Sequence, residues 1–115
     1  MITRTLSVIV MVLLICSTVF AETASLSWNA YTEPDIAKYN IYQSTESGVY
    51  DLTDPIGHAN HPKTAFKVYN LEPNKIYFWV ITAVNKGGME SKKTSNEVWK
   101  YTGENPLAPT GLKVE

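Results

Sequence analysis

The chain has 115 residues, a formal net charge of −1, 44% hydrophobic residues and a single cysteine. That length holds one ordinary domain, and the near-neutral balance gives no electrostatic reason to expect nucleic acid or an acidic solvating tail. The apolar content excludes wholesale disorder and calls for a packed core.

Residues 1–21 carry Arg4 near the start, an almost wholly apolar run from Leu6 to Ile15, and small Ala21 after Val19 and Phe20. Positive, apolar and small residues in that order predict a helical secretory signal peptide cleaved after Ala21. An uncleaved membrane anchor needs roughly 20 apolar residues, and Ser17 and Thr18 close the run early. A lipidated Cys16 is disfavoured by bulky Ile15, which stands where such signals carry a small residue. The expected destination is the periplasm or the cell exterior, with no membrane attachment after cleavage. Residues 22–115 contain no cysteine, so the exported chain must stand without disulfides.

The rest of the chain has a period of two. Ala24, Leu26, Trp28 and Ala30 alternate with Ser25, Ser27 and Asn29, which predicts a first strand. Glu33-Pro34-Asp35 breaks it. Tyr39 and Ile41 mark a second strand with Tyr42 on its other face, and Ser44 to Gly48 turns the chain. Tyr50-Asp51-Leu52 predicts a short edge strand, whereas Pro55, Gly57 and Pro62 argue against continuous pairing between 53 and 63. Thr64, Phe66 and Val68 alternate again. Leu71 to Asn74 forms a turn, Ile76 to Val84 a long apolar strand, and Asn85-Lys86-Gly87-Gly88 another turn. A charged loop precedes a last strand from Ser95 to Tyr101. Short alternating strands between frequent turns indicate an antiparallel sandwich or barrel.

Five motifs in register carry a family resemblance over Ala24 to Tyr101: Leu26-Ser27-Trp28, Tyr39-Asn40-Ile41-Tyr42, Leu71-Glu72-Pro73 with Tyr77, Ile81-Thr82-Ala83-Val84-Asn85, and Ser95-Asn96-Glu97-Val98. Together they resemble a fibronectin type III module, here a single secreted one of bacterial type. The resemblance implies an all-β, immunoglobulin-like antiparallel sandwich of seven strands over residues 22–102, with Trp28, Tyr39, Leu71 and Tyr77 in or beside the core. It also implies a tyrosine corner, in which the Tyr77 hydroxyl bonds back to backbone near the turn. The lack of cysteine favours this module over a disulfide-linked immunoglobulin domain.

One departure from the family pattern stands out. The family's first strand carries Pro-x-x-Leu-x-Val ahead of the Leu-Ser-Trp strand, but after the expected cleavage only Glu22 and Thr23 precede that strand. The pattern occurs instead at the other end, as Pro109-Thr110-Gly111-Leu112-Lys113-Val114 within residues 103–115. Leu112 and Val114 alternate as a strand would. Three readings follow: the segment closes its own sheet, links neighbouring copies head to tail, or begins a second module.

Chemistry is thin. His58 and His61 lie three apart in a Pro/Gly loop near Asp54, without a third strong metal ligand. Glu33 and Asp35 flank Pro34, where Asp suits turn geometry. There is no Gly-x-Ser-x-Gly elbow, and Gly87-Gly88 precedes no helix, so no phosphate loop is indicated. The loop Asn85 to Thr94 lacks an Arg-Gly-Asp tip. No catalytic residue, metal or cofactor is expected. Trp99 and Tyr101 alternate outward on the last strand if Val98 faces inward, and exposed aromatics of this kind stack on sugars or anchor partners. The expected function is a non-catalytic binding or spacer module making protein contacts. The alternatives are a surface module binding glycan through its exposed aromatics, or a truncated fragment of a multi-module extracellular protein.

Overall fold

The computed structural model describes residues 21–104 and 106–114. The signal peptide and its cleavage site lie almost entirely outside them. Six strands follow in order: β1 (Glu22–Ser27), β2 (Ile36–Ser44), β3 (Gly57–Asn60), β4 (Ala65–Leu71), β5 (Ile76–Asn85) and β6 (Val98–Tyr101). They form two antiparallel sheets, β1-β4 and β3-β2-β5-β6, and no helix occurs among the described residues. The all-β sandwich is therefore as expected, with six strands among the described residues where seven were implied for the module.

Alternation explains the small sheet. Ala24 and Leu26 on β1 face Val68 and Phe66 across the register Ala24↔Val68 and Leu26↔Phe66. The next paired residues are Glu22 and Leu71, so three steps on β4 oppose two on β1. This bulge is made at Asn70, whose φ of 59° lies in the left-handed region that Asn tolerates. The extra residue turns Leu71 back into the core, where it is buried.

In the large sheet, Tyr39, Ile41 and Gln43 of β2 face Ala83, Ile81 and Trp79 of β5. This inner layer meets the small sheet in one cluster of Ala24, Ile41, Ala59, Val68, Leu71, Tyr77 and Trp79. Leu26, Trp28, Phe66 and Ile81 pack against it while remaining partly open. Tyr39 meets Trp28 edge-on at 5.4 Å, and Tyr77 stacks on Trp79 at 6.2 Å.

The outer face of β2 and β5 is buried too. Tyr42, Val80, Thr82 and Val84 are all closed off from solvent, because the segments after β2 and β5 fold across them. That is why Ile76–Asn85 reads as a continuous apolar run: its middle is covered on both faces.

Two expectations are corrected here. Tyr50-Asp51-Leu52 is a loop, and the edge strand is β3, inside the stretch judged unfit for pairing. Pro55 and Pro62 flank β3 without interrupting it, as prolines at the ends of an edge strand can. Gly57 opens the strand because the Phe66 ring lies where its side chain would be, with a Cβ there only 2.6 Å from the ring. The last strand is also shorter than expected, starting at Val98.

Candidate functional site

The sandwich is open on one side. β1 pairs with β4 along one edge, and no described residue pairs with its other edge. The Trp28 N–H donates to the Thr64 carbonyl at 3.0 Å, toward β4. Backbone groups alternate sides along a strand, so those of Ser25 and Ser27 point the other way, to the free edge. A groove of about 650 Å³ lies between this edge and β6, floored by Leu26, Trp28, Trp79, Ile81 and Val98. A second hollow of about 420 Å³ shares Trp28, Ile81 and Ser95 with it. Leu26, Trp28, Ile81 and Val98 are at least partly exposed there, whereas Trp79 is closed off. Trp28 Nε1 is buried and finds no acceptor among the described residues.

One end of the groove is bridged. Lys100, on the same face of β6 as Val98, donates from Nζ to the Thr23 carbonyl at 2.6 Å and lies 3.9 Å from Glu22 Oε2. The Lys100 amine therefore occupies an acceptor of β1 at the pole where that strand begins. At the same pole the Thr102 N–H donates to the Lys75 carbonyl at 2.9 Å, and Thr102 Oγ1 to the Glu72 carbonyl at 2.6 Å. The chain after β6 is thus anchored where β1 starts.

The opposite face of β6 carries the aromatics expected there. Trp99 pairs with Phe78 and Tyr101 with Ile76, and these side chains face outward, with Trp99 66% and Tyr101 43% exposed. Tyr39 and Leu71 are buried. Trp28 is only half-buried because it floors the open side. Tyr77 is buried, and its Oη accepts the Glu72 N–H at 3.0 Å. His58 and His61 are both exposed. Among the described residues, no group of three or more His, Cys, Asp or Glu is placed to hold a metal ion. The Asp35 carbonyl accepts the Lys86 N–H, tying the β1–β2 connection to the β5 turn. Leu112 and Val114 form no strand and are 98% and 99% exposed.

Two carboxylates emerged only from the structure. Glu90 accepts from Tyr42, from Thr82 and, at 3.1 Å, from Asn40. Burial pushes its pKa up, but the bonds from Thr82, Tyr42 and Asn40 outweigh this and hold it below the ordinary value. Glu97 accepts from Ser47 at 2.5 Å, the Gly48 N–H at 2.8 Å and Tyr50 at 2.6 Å. The bond from Ser47, then those from Tyr50 and Gly48, hold its pKa down. Burial and then the bond to Glu97 push the Tyr50 phenol well above its ordinary range. These carboxylates clamp the loops that cover Tyr42 and Val80. No local motif announces either role, because the partners of Glu97 lie 47 to 50 residues away.

Two packed antiparallel sheets, a tyrosine hydroxyl bonded across the β4–β5 corner and a disulfide-free core define an immunoglobulin-like sandwich. A family model of the fibronectin type III domain matches residues 13–97, and the chain belongs to that family. The match begins inside the segment read as a leader. Among solved structures, the chain is similar to the 6th fibronectin type III domain of human fibronectin type III domain containing protein 3, at 17% identity and TM-score 0.57, covering 79% of this chain and 81% of that one. It is also similar to the third fibronectin III domain of the human KIAA0343 protein, at 19% identity and TM-score 0.54, covering 83% and 86%. A β-1,2-glucanase from Parabacteroides distasonis aligns at 21% identity and TM-score 0.61 over 77% of this chain. The chain spans only 12% of that enzyme's length, and the likeness is one of fold. Among curated proteins, none matches significantly.

Proposed function

We propose that this chain is an exported, non-catalytic binding module that takes an extended polypeptide against the free edge of β1. The observation that carries the reading is that, among the described residues, β1 is paired on one side alone, with its other edge fronting a groove of about 650 Å³ floored by core residues. An incoming strand gains main-chain hydrogen bonds from the Ser25 and Ser27 rungs. It gains specificity from alternate side chains that enter the groove over Trp28 and Val98. Selection of peptides of about eight residues against residues 22–115, which hold every strand and core residue described, tests this. Alternating apolar peptides are expected to be enriched, to shift the fluorescence of Trp28 and Trp79, and to lose binding in Ser25→Pro, which removes an outward N–H. No enrichment, or binding indifferent to Ser25→Pro, overturns the reading.

A glycan-binding role is the second reading, favoured by the outward Trp99 beside Tyr101. A glycan array separates the two: sugar binding abolished by Trp99→Ala and untouched by Ser25→Pro supports the second.

A further inference from the structure

Resting on strand capture at β1, we infer that the occupant is the segment Pro109–Val114 of a second copy, so that the molecules join head to tail. The segment has what the groove lacks. It forms no strand, and Leu112 and Val114 stand open at 98% and 99% exposure on one side of Lys113. Placed along β1, that spacing puts two apolar side chains over Leu26 and Trp28 and leaves Lys113 on the solvent face.

The segment's own groove is the harder target. β6 ends at the pole where β1 begins, since Thr102 is tied to Lys75 and Lys100 reaches Thr23. An antiparallel partner of β1 must therefore enter from the far pole, beyond Ser27. β1 is 6 residues long, about 20 Å at 3.3 Å per residue. The nine residues 103–111 between Thr102 and Leu112 span at most about 30 Å when fully extended, and running the length of β1 and then reversing uses nearly all of it. A neighbouring copy brings its segment in from any direction. The contact joins two different surfaces, tail to groove, so it is heterologous and does not close at a dimer.

Sedimentation of residues 22–115 from micromolar to near-millimolar concentration tests this. The weight-average mass is expected to climb past twice the monomer. A tail variant (Leu112→Asp with Val114→Asp) and an edge variant (Ser25→Pro) should each remain monomeric, with β-sheet circular dichroism retained. Mixed, they should form one-to-one pairs and stop there, because one supplies only a groove and the other only a tail. If Ser25→Pro does not fold, a synthetic peptide of residues 106–115 takes its place and is expected to bind the tail variant and shift its tryptophan fluorescence. A monomer at every concentration together with a silent peptide overturns the inference. So does a monomer that loses stability when 106–115 is removed, since the tail would then close its own sheet. A silent peptide with a monomer leaves strand capture itself standing, since that rests on the selected peptides, whereas a tail that closes its own sheet would fill the β1 edge and overturn both.

Discussion

The Glu72 N–H donates to the Tyr77 hydroxyl oxygen at 3.0 Å, tying the end of β4 to the start of β5 across five residues. Tyr77 is otherwise buried against Trp79, so removing the oxygen leaves the ring's packing intact and strands the Glu72 donor. Tyr77→Phe is expected to cost about 0.5–1.5 kcal/mol, the net worth of one such bond. The urea midpoint at unchanged slope reads it. An unmoved midpoint means water replaces the hydroxyl at no cost.

The two tryptophans of the groove differ in kind. Trp79 is 2% exposed and also donates from Nε1 to Gln43 at 2.8 Å, whereas Trp28 is half-buried with an Nε1 that finds no acceptor among the described residues. Trp79→Ala should cost about 3–5 kcal/mol, as for large enclosed aromatics. Trp28→Ala should cost about 1–2 kcal/mol, because its ring has less area removed from water. Equal losses in denaturant titrations would mean that the open side is filled in solution.

Acid should loosen the outer loops before the core. Glu97 has its pKa held below the ordinary 4.5 by the bonds from Ser47, Tyr50 and Gly48. A carboxylate depressed in the fold adds stability that is present above its unfolded value and is lost as pH falls through the folded one. Stability should therefore decline below about pH 4.5, and Glu97→Gln should flatten that decline while lowering stability at neutral pH. Tyr50, raised by burial and then by its bond to Glu97, has the opposite sign: its share is complete below pH 10 and is lost above it. Denaturant midpoints across pH 3–11 check both limbs. An acid limb identical in Glu97→Gln would assign the decline to other carboxylates.

The period-two pattern was sufficient to find β1, β2, β4 and β5, because each has a face turned to the core and side chains that show it. It failed for β3, where Gly57 reads as a breaker but serves as clearance for Phe66. It also failed for the loop at Tyr50, whose aromatic ring is held by Glu97 instead of by a strand partner. The family's first-strand pattern was legible at Pro109–Val114, a segment that forms no strand. The groove beside β1 was not, because an open edge is a property of how two sheets meet. Outward Trp99 followed from alternation with Val98. Glu90 and Glu97 could not be foreseen, since their partners converge only through the tertiary fold.

Gly57 offers the sharpest test of the packing between β3 and β4. Its backbone is ordinary: among the described glycines only Gly48, Gly88 and Gly111 have positive φ, so alanine at 57 suffers no conformational strain. The obstacle is contact alone. A Cβ there would lie 2.6 Å from Phe66 Cζ and 2.9 Å from Cε1, closer than carbon atoms approach, and the half-buried ring is held between β3 and the core cluster. Gly57→Ala is therefore expected to cost about 1–3 kcal/mol by overpacking. Phe66→Leu shortens the side chain and opens the space, at its own cost of lost burial. In the Phe66→Leu background, the alanine should lose most of its penalty, giving a coupling of about 0.5–3 kcal/mol in a double-mutant cycle. Urea melts of the four proteins supply the cycle. Additive losses would show that the strain at residue 57 arises in the β2–β3 pairing and not from the Phe66 ring.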